Sequence, residues 1–85
     1  MFDVDYSSKA RRFMKKADKI LTSRLLEKIE LLRITPFTHD TKTVEGYKEK
    51  VFRVRVGKYR ILYEVDYKNN KIGIVNIDKR PRAYD

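Results

Sequence analysis

Hydrophobic residues alternate with charged ones at the start of the chain, where Phe2, Val4 and Tyr6 interleave with Asp3 and Asp5. That period of two predicts a half-buried strand. The spacing then widens: Ala10, Phe13, Met14 and Ala17 recur at helical intervals behind Ser7 and Ser8, either of which can cap a helix. Asp18 is placed to cap a second helix with the apolar stripe Leu21, Leu25, Ile29 and Leu32, which Pro36 stops. Residues 36–48 follow neither period and are rich in Thr, so they read as a loop leading from helices to sheet.

Period two returns at Val51 and runs to Val56, breaks at Gly57-Lys58, and resumes from Tyr59 to Tyr67. A glycine leading a two-residue loop suits a type II′ hairpin, whose first turn position needs positive φ. With that loop, Val56 faces Tyr59, Arg55 faces Arg60, Val54 faces Ile61 and Phe52 faces Tyr63. Lys68-Asn-Asn-Lys71 marks a second turn, because Asn tolerates the left-handed conformation, and Ile72 to Ile77 gives a last strand. The expected fold is α+β: an N-terminal strand, a helical hairpin and a three-stranded antiparallel meander. The helices cover one face of a four-stranded sheet, and residues 1–85 form a single domain.

Charge changes the picture. A formal net charge of +9 on 85 residues attracts polyanions at long range, and nucleic acid leads as the partner class. The chain has no cysteine and one histidine, which removes disulfides and thiolate or histidine-rich metal sites, so no metal and no cofactor are expected. No stretch approaches the ~20 apolar residues of a membrane span, and a cytoplasmic protein with no membrane partner is expected. One basic patch is Lys9, Arg11, Arg12, Lys15, Lys16 and Lys19, opposed only by Asp18. Such a patch is a solvated face or, at most, a docking surface along a large RNA.

The alternation places Phe52, Val54, Val56, Ile61, Tyr63 and Val65 toward the helices, and Arg53, Arg55, Arg60, Leu62 and Glu64 away from them. Like charges directly opposite in a sheet repel, so Arg55 against Arg60 is a local penalty that a bound anion would relieve. Arginine's planar fork grips two phosphate oxygens and keeps its charge at any biological pH. The blander account is a solubilising face in which Glu64 forms a surface ion pair of little energetic value. In the C-terminal run, Lys79, Arg80 and Arg82 flank Pro81, and Tyr84 stands among these cations. That combination can stack a base while holding its phosphate, although a tyrosine packed on the sheet edge reads the same way. His39 has no evident orienting partner and is not taken as a catalytic base.

The run Val51-Phe-Arg-Val-Arg-Val-Gly-Lys-Tyr-Arg-Ile-Leu-Tyr-Glu-Val65, with Ile72-Gly-Ile-Val-Asn-Ile-Asp-Lys-Arg80 and the closing Tyr84, resembles the RelE/ParE superfamily of toxins, and the likeness to the RelE type is greatest. The resemblance implies a microbial toxin held inactive by a cognate antitoxin. It implies that messenger RNA in the ribosomal A site is cut by attack of a 2′-hydroxyl on the adjacent phosphate, without metal. Carried over by position, Arg60, Arg80 and Tyr84 are the catalytic residues and Arg53 and Arg55 contact RNA; the neighbouring cations Lys58, Lys79 and Arg82 are expected to contact RNA as well.

This chain has arginines where well-studied members have second-strand lysines, and arginine does not release a proton. The base is then Tyr84, a group of the ribosome or substrate, or no discrete base. Catalysis by positioning and charge neutralisation, helped by Tyr84, is the reading preferred. Two other functions fit the same residues: a ParE-like poison of DNA gyrase, and a non-enzymatic RNA- or ribosome-binding module.

Overall fold

The computed structural model describes residues 1–79, so Arg80, Arg82 and Tyr84 lie outside the described residues. Strand β1 (Asp3–Tyr6) leads into α1 (Ser8–Lys16) and α2 (Lys19–Ile34), followed by β2 (Lys42–Val44), β3 (Val51–Val56), β4 (Tyr59–Asp66) and β5 (Lys71–Lys79). Among the described residues these strands form one sheet in the order β1-β5-β4-β3-β2. Its β3–β4–β5 centre is the expected antiparallel meander, and β1 adds to β5 in parallel. No helix among the described residues is long and apolar enough to cross a membrane.

Local chemistry sets each boundary. The Ser7 side chain accepts from the Ala10 N–H at 3.0 Å and starts α1, and Asp18 accepts from the Leu21 N–H at 2.8 Å and starts α2. Chain direction reverses at Gly57, whose φ of 58° has no counterpart at Lys58, as a type II′ turn requires. An alanine Cβ at Gly57 would lie 3.4 Å from the Arg24 guanidinium, which is ordinary contact, so the backbone sets the cost of substitution. Gly57→Ala is expected to destabilise the fold by about 1–2 kcal/mol, read as a lower urea midpoint with unchanged slope.

The core lies between the helices and one sheet face. Ala10, Leu25, Ile29 and Leu32 from the helices meet Val54, Val56, Ile61, Tyr63, Ile72, Ile74 and Ile77 from the strands. Phe52 and Val65 pack against that cluster, so the predicted inward set is the observed one.

Two features differ from expectation. The sheet has five strands because residues 42–44, read as loop, pair antiparallel with β3. Thr and Val there suit a pleated edge, but three residues are too few to display a period. The second difference is a bulge in β5: Leu62 pairs with Asn76 but Tyr63 pairs with Ile74, leaving Val75 as the extra residue. Ser7 secures it, donating from its hydroxyl to the Val75 carbonyl at 2.6 Å and from its N–H to the Ile74 carbonyl at 2.9 Å. Beyond the bulge the phase inverts: Ile77 joins Ile72 and Ile74 in the core, while Asp78 emerges on the other face.

Candidate nucleic-acid interface

The β3–β4 register is the one the sequence predicts, with Arg55 opposite Arg60 and Arg53 opposite Leu62. Period two therefore places Arg53, Arg55 and Arg60 together on the face turned away from the helices. That face is less open than expected. Arg53 is only 8% exposed, and Val51 and Leu62, outside the main core cluster, are also buried. Val51 and Leu62 thus give this face a small apolar floor, against which arginine stems can lie.

The strongest departure concerns Arg60. Its Nε donates to Asp78 Oδ1 at 2.9 Å and its Nη2 to Asp78 Oδ2 at 3.1 Å, a side-on fork across β4 and β5. Among the described residues, Asp78 is thus a carboxylate that offsets the Arg55–Arg60 repulsion. The sequence offers Glu64 for this part, but in the structure Asp78 takes it. The signal was present: the apolar positions Ile72, Ile74 and Ile77 break an even alternation, which marks a bulge before Asp78. Lys42, in the segment the sequence reads as loop, lies opposite Arg53 and adds a further cation to the site.

Asp40 also escaped sequence reasoning. Where β2 runs out beside β3, Asp40 Oδ2 accepts the Arg55 N–H at 3.3 Å, satisfying a backbone donor that the short edge strand does not reach. The same carboxylate accepts from the Thr38 hydroxyl and pairs with Lys28 Nζ at 3.4 Å. Burial pushes the Asp40 pKa up, but the Thr38 hydroxyl, the Arg55 N–H and Lys28 outweigh it and hold the carboxyl at about 2, below its ordinary 3.8. Nearby, the buried Tyr63 hydroxyl donates to the Pro36 carbonyl at 2.5 Å and lies 3.2 Å from Thr41 Oγ1, which fixes the loop that carries Asp40. Burial raises the Tyr63 pKa.

Because folded Asp40 binds its proton less readily than the unfolded chain, its contribution is complete above about pH 4 and drains away as pH falls toward about 2. Urea unfolding from pH 5 to pH 2 should therefore show a smaller acid loss in Asp40→Asn than in the parent. Parallel pH profiles would remove Asp40 from this account.

Of the remaining predicted contacts, Lys58 is exposed at the hairpin tip and Lys79 ends β5. Lys79 also borders a groove of about 530 Å³ between α1 and β5, lined by Lys9, Arg12, Lys16 and Asp78 among others. This groove brings Lys9, Arg12 and Lys16 of the α1 basic patch beside Asp78 and Lys79. His39 is exposed in the turn before β2.

The model of the family described as ParE toxin of type II toxin-antitoxin system, parDE, matches residues 4–84. The chain belongs to this family of type II toxins. The toxin is 30% identical to a protein of Methanocaldococcus jannaschii provisionally named toxin RelE1, over 98% of this chain and 94% of that protein. Among solved structures, the archaeal RelE–RelB complex of Pyrococcus horikoshii OT3 matches with a TM-score of 0.82 at 27% identity, covering 96% of the toxin and 98% of that chain. The RelBE2 toxin–antitoxin complex of Mycobacterium tuberculosis matches with a TM-score of 0.78 at 25% identity, covering 93% and 98%. The intact E. coli RelBE complex reaches a TM-score of 0.82 at 17% identity, covering 96% and 100%, a likeness of fold.

Proposed function

We propose that this toxin is an endoribonuclease that cuts messenger RNA in the ribosomal A site and is restrained by a cognate antitoxin. The carrying observation is the grouping of Arg53, Arg55 and Arg60 on the face opposite the helices, in register across two strands. Full-length similarity to RelE-named proteins supports the choice of RNA as substrate, and the similar complexes with RelB support an antitoxin partner.

In this reading a 2′-oxygen forms a bond to the neighbouring phosphorus while the bond from phosphorus to the 5′-oxygen breaks. The 2′-oxygen loses its proton as the 5′-oxygen gains one, and the products are a 2′,3′-cyclic phosphate and a 5′-hydroxyl. Arg60, with Arg80 from the C-terminal run, holds the phosphate as its charge grows, and Arg53 and Arg55 fix the flanking phosphates. Charge arranged in advance lowers the barrier without reorganisation during the step. Tyr84 assists by stacking or proton transfer, and Lys58, Lys79 and Arg82 contact the backbone. The reaction draws on side chains alone, without metal. Lys9, Arg12 and Lys16 provide long-range attraction to a large RNA.

The ParE name of the matching family favours one alternative, poisoning of DNA gyrase. Induced expression without antitoxin separates the two. Growth arrest with fragmented messenger RNA and an intact chromosome is expected. Arrest with intact messenger RNA and broken chromosomal DNA would select the gyrase poison, and salt-sensitive RNA binding without cleavage would select a binding module.

A further inference from the structure

The bulge at Val75 turns Asp78 onto the arginine face, where β3, β4 and β5 set Arg55, Arg60 and Asp78 in one cross-strand row. The side chains of Arg60 and Asp78 are 20% and 35% exposed, so their fork is partly shielded from water. Asn76 Nδ2 approaches the same carboxylate at 3.5 Å. A carboxylate gripping Nε and Nη2 together fixes the plane of the guanidinium, which a single contact does not.

We propose that Asp78 is a positioning residue for Arg60: it holds the guanidinium in the plane from which it meets the scissile phosphate, and it offsets one positive charge at the site. This inference rests on the endoribonuclease reading. Its two parts act in opposite directions. Removing the carboxylate strengthens the field that draws RNA in, so binding tightens. The same change removes the fork that sets the guanidinium plane, so Arg60 is less well aimed when charge develops on the phosphate, and cleavage slows. A purely structural residue would weaken both, and a carboxylate that merely competes with phosphate would, once removed, speed both.

The test compares the parent with Asp78→Asn and Asp78→Glu on ribosomes carrying a defined messenger RNA. Affinity is measured with messenger RNA bearing a 2′-deoxynucleotide at the cut position, which lacks the nucleophile, and single-turnover rates are measured with the all-ribose version. Asp78→Asn is expected to bind about two- to fivefold tighter, with a steeper salt dependence, and to cut about tenfold more slowly. Asp78→Glu should keep the parent's affinity and recover part of the rate. An unchanged rate, a faster rate, or weaker binding alongside slower cutting would each overturn the role of Asp78 while leaving the endoribonuclease reading intact. A parent that binds but does not cut would overturn that reading and the role of Asp78 with it.

Discussion

Arg60→Ala is expected to lower cleavage of ribosome-bound messenger RNA by about 10²- to 10³-fold, the usual effect of removing a pre-organised donor to developing charge. The fold should persist. The Arg60–Asp78 pair is partly exposed and ion pairs of that kind contribute little, about 0–1 kcal/mol. With 35% of its side chain exposed, Asp78 regains water when its partner is removed and is not stranded as a buried charge. Loss of Arg60 also removes the repulsion with Arg55 across the hairpin. Arg60→Lys tests the geometry more finely: it keeps the charge but not the planar fork, and should recover only a small part of the activity. Parent-like cleavage by Arg60→Ala, at an unfolding temperature near the parent's, would discard the proposed site.

The largest effect on stability is expected from Leu25→Ala. Leu25, Ile29 and Leu32 form the buried stripe of α2 at 0%, 1% and 0% exposure and press on the sheet face that carries Val54, Val56 and Ile61. Removing most of that side chain loses its transfer energy and leaves a cavity, at a cost of about 2–5 kcal/mol. In a domain this small each kcal/mol shifts the midpoint by about 4–8 °C, so Tm should fall by about 8 °C or more. Leu26→Ala, one position along at 42% exposure, should change stability by about 0.5 kcal/mol or less. Equal losses in the two variants, measured by thermal melting, would show that the helix stripe does not hold the sheet as described.

That contrast between neighbouring leucines also shows what is legible in the sequence. Where one period runs for several turns or residues, as in α2 or through Val51–Asp66, burial and register follow from spacing: both helix caps, the Gly57 turn and every named β3–β4 partner lie where expected. Short or phase-shifted features are harder to read. The pairing of Lys42–Val44 depends on the free edge of β3, which no local pattern at 42–44 encodes. The bulge at Val75 shows locally only as the broken alternation of Ile72, Ile74 and Ile77, and its support comes from Ser7, distant in sequence, which bonds a carbonyl of β5. From that one inserted residue follows the position of Asp78, and from it the ion pair that separates the observed site from a bare arginine row. Asp40 was illegible for a similar reason: its partners, Lys28 and the Arg55 N–H, come from α2 and β3 and meet it only in the folded chain.

Whether the cationic sheet face cuts RNA is tested most directly by mapping the ends of messenger RNA after programmed ribosomes are incubated with the purified toxin. New 5′-hydroxyl ends within the A-site codon, paired with upstream fragments ending in a cyclic phosphate, are the predicted result. Full-length messenger RNA at saturating toxin, or fragments carrying 5′-phosphates, would contradict it.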